Sequence, residues 1–280
     1  MVSGTMETAE TNTSLEYGKA PWVFRGSALY QLHVVKAETA RAFVPKDFKL
    51  VEAFGYTLGG FFLANYEDSP VGKFDELVVI AGTVWNPPTS CAWAAKVLVN
   101  SEKAYAHGLN DVGLPSQVAT FTKSVMALPG RKRSPFGGFL NKIGMSNSRD
   151  NTKSCMNIQV KEMANHIAMG LCSINLTGAG RQCFSGRTEY NPDLLKYSCQ
   201  IECRLRAVSP AKVFGPSPFA SASNMDGETT SENRSPETGD SDHPEDIKRK
   251  LCISVMLSKP ILALEFNFLK MTVDAPTVVS

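Results

Sequence analysis

The sequence is dominated by extended segments rich in valine, phenylalanine, tyrosine and threonine, with turn residues roughly every ten to fifteen positions. β-Branched and aromatic residues favour strands, and residues 30–35 (YQLHVV) follow the pattern of a half-buried strand. A short helix is expected at 37–43, before Pro45. Further strands are predicted at 156–162, 167–175, 197–208, 252–257 and 262–273. About ten strands with a few short helices predict a mainly β fold, an antiparallel barrel or sandwich.

The composition is compatible with one domain and argues against several function classes. A chain of 280 residues that is 43% hydrophobic and 20% charged can bury a large core. Its net charge of +2 creates no global field, so we expect no nucleic-acid partner. The seven cysteines and four histidines lack the close pairs of a zinc site. Phosphate-loop and serine-elbow motifs are also missing, and we therefore expect neither a metal nor a cofactor.

Three polar segments flank or interrupt the strands. Residues 1–20 are polar and predict a disordered tail. Residues 128–154 are basic with interleaved apolar side chains, so they could contact an anionic membrane surface, although a solvated hairpin is the alternative. Residues 216–247 carry eight acidic residues against one basic, which predicts a disordered loop. Residues 21–275 are predicted to form a single domain that carries these two insertions.

Targeting signals are not evident in the sequence. The residues before Arg25 contain three glutamates and no arginine, whereas a transit peptide is rich in arginine and poor in acidic residues. An apolar stretch that would mark a secretory signal is missing there, and no window is apolar enough to span a bilayer. The compartment and the oligomeric state are left open.

Residues 99–115 (VNSEKAYAHGLNDVGLP) contain the first candidate for chemistry. A strand ends here and a short helix is predicted to begin, capped by Asn100 or Ser101. Lys103 and His107 lie one helical turn apart on that helix. The pair could be a nucleophile beside its base, or it could belong to the solvent-facing surface of a helix.

Glu76 is the second candidate because Phe74-Asp75-Glu76 runs directly into the apolar segment 77–80. A carboxylate thus lies where a strand enters the core. If Glu76 is buried, its pKa should rise unless Arg25 or Arg41 pairs with it. A salt bridge at the end of the barrel is the alternative.

Ordered blocks of the sequence resemble the acetoacetate decarboxylase superfamily, mainly over residues 21–125. They include PWVFRG, LVEAFGYTLGGFFLANYEDSPVGKFDELVVIAG and the Ala-Tyr helix that ends in Gly-Leu-Pro. The resemblance implies a cone-shaped antiparallel β-barrel with a central pocket, expected to contain Arg25, Phe61, Glu76 and Trp85. Glu76 matches the family's pocket glutamate, Phe61 stands in place of a second carboxylate, and Arg25 could substitute for a substrate-binding arginine.

In family decarboxylases, a pocket lysine forms a Schiff base with a β-keto acid, and an adjacent lysine lowers its pKa. This segment can be aligned with the family's motif in two ways. If Ala104-Tyr105 is aligned with the family's Ala-Tyr, His107 and Gly108 occupy the positions of the two lysines. If residues 113–115 are aligned with the family's Gly-Tyr-Pro, Asn110 and Asp111 occupy them. Neither choice supplies an amine, and Lys103 lies about one turn too early. We therefore expect no acetoacetate decarboxylase activity. A pocket without the amine suits a larger, less polar ligand.

Within the superfamily, the blocks 21–37, 72–101 and 107–121 resemble plant members needed to form neoxanthin from violaxanthin, and hence abscisic acid in the drought response. This implies an accessory protein for an apolar, xanthophyll-like ligand, with a membrane surface or a carotenoid enzyme as the partner of residues 128–154. An enzyme acting on an isoprenoid, with Glu76 and His107 as weak catalytic candidates, is the alternative. The resemblance leaves both the cytosol and the plastid, surface or interior, as compartments.

Overall fold

The computed structural model describes residues 18–86, 89–127, 154–164, 167–177, 186–190, 195–216 and 244–278. The elements in this part of the chain are β1 (Trp22–Lys36), α1 (Ala37–Arg41), β2 (Tyr56–Asp68), β3 (Phe74–Asn86), β4 (Thr89–Val99), α2 (Glu102–His107), a π-helical turn (Gly108–Val112), β5 (Ser116–Ala127), β6 (Ser154–Ala164), β7 (Ile167–Thr177), β8 (Gly186–Tyr190), β9 (Leu195–Val208), β10 (Lys212–Phe214), α3 (Pro244–Met256), β11 (Lys259–Val273) and β12 (Thr277–Val278).

The strands form one large sheet in the order β10-β7-β6-β5-β4-β3-β2-β1-β11-β9-β12, with β8 beside β9. Both parallel pairings among the described strands involve β4, which pairs with β5 over three residues and with β8 through the single pair Ala92 and Tyr190. Seven strands, from β4 through β1 to β9 and β8, thus surround a common interior. The predicted mainly β fold with a barrel-like arrangement of strands is confirmed, although only one residue pair links β8 to β4.

The two faces of β2 and β3 serve different purposes because side chains alternate along a strand. Phe62 and Tyr66 of β2 point into the barrel interior with Val78 of β3. The intervening residues, such as Phe61 and Leu77, point outward into a second core. That outer core is completed by side chains of α3, β6 and β7.

The segment 252–257, predicted as a strand, is mostly helical: α3 ends at Met256. Cys252, Val255 and Met256 are buried. Their spacing of three and four residues is that of a helix face. A short apolar run fits either structure when it is read alone, which is why the prediction was wrong.

The predicted insertions meet the described structure only at their edges. Residues 244–247 of the acidic segment form the first turn of α3, and residue 154 of the basic segment begins β6. Residue 216 is also described, while residues 128–153, 217–243 and 1–17 of the predicted tail lie outside the described residues. Within the described part, none of the helices has the length and apolar character needed to cross a membrane.

Candidate functional site

The barrel interior contains a cavity of about 200 Å³. Its described walls come from β1, β2, β3, β4, β5, β9, β11 and the α2 region, and most of its lining is apolar. Aromatic side chains supply much of the surface, namely Phe24, Tyr30, Phe62, Tyr66, Phe74 and Phe266. A largely apolar, concave space with a few polar groups is the usual form of a small-molecule site.

Glu76 is the only acidic side chain among the described residues that line the cavity. Tyr66 donates a hydrogen bond from its hydroxyl to Glu76 Oε2 (3.1 Å). Burial raises the pKa of Glu76 to about 7, and the hydrogen bond from Tyr66 opposes only part of this shift. Near neutral pH, a substantial fraction of the carboxyl is therefore protonated and can donate a hydrogen bond to a ligand.

The two arginines that could have paired with Glu76 contact other carboxylates. Arg25 pairs with Asp68 at 3.3 Å, and Arg41 pairs with Glu52 at 2.5 Å. The predicted rise in the pKa of Glu76 follows because neither cation meets it. The alternative, a salt bridge of Glu76 with Arg25 or Arg41 at the barrel end, does not form.

The helix α2 places His107 at the cavity wall. Ser101 caps the helix by accepting a hydrogen bond from the backbone N–H of Ala104 (3.3 Å), as the sequence predicted for Asn100 or Ser101. The Nδ1–H of His107 donates to Asp111 Oδ2 at 2.8 Å. The imidazole also meets the ring of Trp22 edge-on, with centroids 4.8 Å apart. These contacts fix the orientation of the ring.

Lys103 and His107 do not form a nucleophile–base pair. His107 is buried and lines the cavity, whereas Lys103 lies on the exposed side of α2. The alternative interpretation, a solvent-facing helix residue, is therefore the correct one for Lys103.

The geometry distinguishes between the two ways of placing the family's lysine pair. His107 and Gly108 line the cavity, while Asn110 is exposed and Asp111 is not among the lining residues. Of the two placements, only the one anchored on Ala104-Tyr105 puts both of its residues at the cavity wall. None of the described residues that line the cavity is a lysine or an arginine.

Ser116, at the start of β5, is a polar lining residue that the sequence did not reveal. Its side chain is buried, and its hydroxyl has no hydrogen-bond partner within the described part of the chain. The backbone of Gly108 approaches it so closely that a Cβ on Gly108 would lie 2.4 Å from Ser116 Oγ. A buried hydroxyl without a partner is unfavourable, so Ser116 is a candidate contact for a ligand oxygen.

Tyr66 was also missed, although the sequence carried a signal for it. It follows Phe62 at a spacing of four residues on β2, so both side chains lie on the same face. Ala64 of β2 pairs with Glu76, which places Tyr66 within reach of the carboxyl.

Three of the four predicted pocket residues do not line the cavity, and this part of the prediction is corrected. Arg25 is half exposed and pairs with Asp68. Phe61 is fully buried on the outer face of β2, where its ring lies 5.7 Å from that of His33. Trp85 is 49% exposed near the end of β3. For Phe61, residue order alone did not fix the strand register that decides which face a side chain occupies, whereas Trp85 lies beyond the end of the cavity.

The described residues include no cluster of three histidine, cysteine, aspartate or glutamate side chains that could hold a metal ion. The cavity groups able to bond a polar ligand are Tyr66, Glu76, Ser116 and the ring of His107. These groups can form hydrogen bonds with a ligand. Formation of a Schiff base requires an amine, which the described lining does not provide.

The chain is similar to three plant proteins over nearly its whole length. It is 59% identical to Protein NEOXANTHIN-DEFICIENT 1 of Solanum lycopersicum, with 98% of both chains covered. It is 49% identical to the protein of the same name from Arabidopsis thaliana, covering 98% of this chain and 99% of that one. The counterpart from Oryza sativa subsp. japonica is 51% identical, with 96% and 93% covered. No protein-family model matches the chain.

Solved structures share the fold at low sequence identity. Acetoacetate decarboxylase from Legionella pneumophila superposes with a TM-score of 0.57 at 12% identity, covering 100% of this chain and 98% of that one. The enduracididine biosynthesis enzyme MppR superposes with a TM-score of 0.52 at 11% identity, covering 100% and 97%. At such identities the similarity establishes the architecture alone.

Proposed function

The chain belongs to the NEOXANTHIN-DEFICIENT 1 family, and from this premise we propose that it is an accessory protein in neoxanthin formation that holds an apolar, xanthophyll-like ligand. In this proposal the protein neither decarboxylates keto acids nor performs the conversion of violaxanthin to neoxanthin itself. Its contribution is to deliver or stabilise the xanthophyll for a separate converting enzyme.

The observation that carries the proposal is the chemistry of the cavity lining. The described walls are apolar and aromatic, and their single carboxyl lies beside Tyr66 instead of a cation. A negatively charged keto acid would meet no positive side chain in this lining, and desolvating an unpaired charge is costly. An apolar molecule with neutral oxygen atoms meets neither difficulty.

The wider consequences belong to the same proposal. Neoxanthin lies upstream of abscisic acid, so loss of the protein should lower abscisic acid and weaken the drought response. The basic segment 128–154 is proposed to contact a membrane surface or a carotenoid enzyme, on the basis of its alternating basic and apolar residues. Xanthophylls are made in plastids, so the protein is proposed to act inside the plastid or, indirectly, from the plastid surface or the cytosol. Imaging of a C-terminally tagged protein with a protease-protection assay distinguishes these locations.

Ligand retention by the purified protein tests the proposal directly. The full chain is incubated with violaxanthin or neoxanthin in liposomes, recovered by affinity capture, and the retained pigment is measured by absorbance. We expect retention of xanthophyll and no change in its chemical identity. If the folded protein retains neither pigment, the ligand-holding function is wrong. Conversion of violaxanthin by the protein alone would contradict the accessory role.

A second candidate function is supported by the pairing of Glu76 with Tyr66. Isomerisation of an epoxide to an allenic alcohol needs an acid to protonate the epoxide oxygen as the C–O bond breaks, and a base to remove a proton from the polyene. Glu76, with its pKa near 7, could serve as that acid. A mutant plant lacking the protein is complemented with the wild type or with Glu76→Gln. Unchanged neoxanthin in the variant removes the enzymatic candidate and leaves the accessory role standing.

A further inference from the structure

Resting on the proposed function, we propose that the cavity admits only one oxygenated end ring of the xanthophyll, while the polyene leaves the cavity along an exposed apolar strip. The mouth strip, as we name it, consists of Tyr56, Leu58, Trp85 and Leu262. The proposal specifies the ligand as a long, uncharged isoprenoid with a hydroxyl or epoxide oxygen at its end.

The size of the cavity sets the first limit. At about 200 Å³ it lies below the ~300–1,000 Å³ of pockets that enclose drug-sized ligands. A xanthophyll has a tetraterpenoid skeleton and is larger than most such ligands. The cavity can therefore enclose one ring, and the rest of the molecule must lie outside it.

Strand register places the mouth strip on the same sheet face as the cavity. Phe62, which lines the cavity, pairs with Tyr30, and two residues further along β1 Leu32 pairs with Leu262. Side chains directly opposite each other in an antiparallel pair share a face, and alternate residues along one strand do so too. Leu58 and Tyr56 are four and six residues from Phe62 on β2, so they continue the cavity face.

Trp85 joins the strip from the neighbouring strand. Thr83 of β3 pairs with Ala92, which lines the cavity, and Trp85 lies two residues beyond Thr83. Val84 between them is buried in a core cluster on the opposite face. Trp85 therefore faces the same side as the cavity.

The strip is exposed and has the length that a polyene needs. Tyr56, Leu58, Trp85 and Leu262 are 45%, 47%, 49% and 38% exposed. At ~3.3 Å per residue, Leu58 lies about 13 Å and Tyr56 about 20 Å beyond Phe62. Large apolar side chains that continue from a cavity onto the surface are typical of a ligand-binding groove.

Polar groups lie at the other end of the cavity. Tyr66 is ten residues from Tyr56 on β2, and Glu76 lies near it. Ser116 and His107 join them from β5 and α2, and the ring of His107 also contacts that of Trp22. The partnerless hydroxyl of Ser116 and the carboxyl of Glu76 are therefore positioned to bond an oxygen on the enclosed ring.

The experiment measures binding of matched ligands to the purified full chain through quenching of tryptophan fluorescence and the absorbance of the polyene. Violaxanthin is compared with β-carotene, which has the same length but unoxygenated rings, and with the ring fragment 3-hydroxy-β-ionone. We expect violaxanthin to bind about tenfold more tightly than β-carotene, and Ser116→Ala to remove most of that preference. Equal affinity for both carotenoids would overturn the ring-recognition step.

Two leucines of similar exposure test the strip. Leu58→Ser should weaken violaxanthin binding about tenfold and leave the binding of the ring fragment unchanged. The matched control Leu257→Ser, whose side chain is 49% exposed outside the strip, should change neither. An equal loss in both leucine variants, or a parallel loss for the ring fragment, overturns the inference while the ligand-holding function stands. No binding of violaxanthin to the folded wild type overturns the proposed function itself.

Discussion

The outer face of the barrel sheet and its cavity face differ in whether their buried polar groups have hydrogen-bond partners. On the outer side, Gln31 donates to His33 Nε2 (2.9 Å) and accepts from the backbone of Ala211 (2.7 Å), while the Nδ1–H of His33 donates to Val255 O (3.1 Å). On the cavity side, Ser116 has no partner among the described residues, and the described hydrogen bond of Glu76 is the one from Tyr66.

A buried ion cluster on the outer side of the sheet also consists of polar groups that have protein partners. Glu162 of β6 pairs with Lys96 of β4 and with Arg249 of α3, each at 2.6 Å. Arg249 also donates to the carbonyl of Gly170. These groups connect α3 to the sheet and have protein partners, as buried polar groups in a stable core do. At the cavity, the hydroxyl of Ser116 has no such partner among the described residues, so it is available to a ligand oxygen.

Removing the central carboxylate of the ion cluster should give the largest effect on stability. Glu162→Gln leaves Lys96 and Arg249 buried without a counter-charge, and breaking such a pair costs roughly 3–5 kcal/mol. Urea unfolding followed by circular dichroism measures the loss. A change in the free energy of unfolding below about 1 kcal/mol would show that this cluster does not stabilise the fold. The outer face would then not differ from the cavity face in the way described.

Two adjacent phenylalanines on β2 allow the packing of the outer face and of the cavity face to be compared. Phe61→Ala should cost roughly 3–5 kcal/mol because Phe61 is fully buried in the outer core. Phe62→Ala should cost less, roughly 1–3 kcal/mol, because Phe62 already borders a cavity. The unfolding free energies of the two variants are compared under one condition. Equal losses would mean that the cavity face is packed as tightly as the core.

Glu76 should respond to pH in a way that the outer core does not. Its folded pKa of about 7 lies above the ordinary 4.5, so the folded state retains a proton that the unfolded state has released. Between pH 4.5 and pH 7, the free energy of unfolding of the wild type should therefore fall by on the order of 3 kcal/mol relative to that of Glu76→Gln. The variant has no carboxyl at this position and does not show this fall. The difference in unfolding free energy between variant and wild type is measured at pH 4.5 and pH 8. A constant difference would show that the carboxyl is not desolvated.

Ser116→Ala should have the smallest effect on stability. Because its hydroxyl has no partner among the described residues, removing it should change the unfolding free energy by less than about 1 kcal/mol, with the variant equal or more stable. Thermal unfolding without ligand provides the measurement. A clear loss of stability would indicate that the hydroxyl has a structural bond, and it would weaken the distinction drawn between the faces.

Sequence reasoning succeeded where a local pattern decides the outcome. The strand preceding α2, the cap at Ser101 and the rise in the pKa of Glu76 all follow from neighbouring residues. Phe61 was misplaced because a shift of one residue in register exchanges the two faces of a strand, whereas Trp85 lies on the cavity face but beyond the end of the cavity. Ser116 reaches the cavity because β5 pairs with β4. The residues around Ser116 in the sequence do not predict this pairing.

The close approach of Gly108 to Ser116 limits which side chains position 108 can carry. A lysine at position 108 would need space for its Cβ where Ser116 Oγ now lies, 2.4 Å away. The Ser116 hydroxyl would therefore have to rotate away from any side chain placed at position 108. A smaller residue at position 116 would remove this obstruction. The effect of a substitution at position 108 thus depends on the residue at position 116, and the two positions are epistatic.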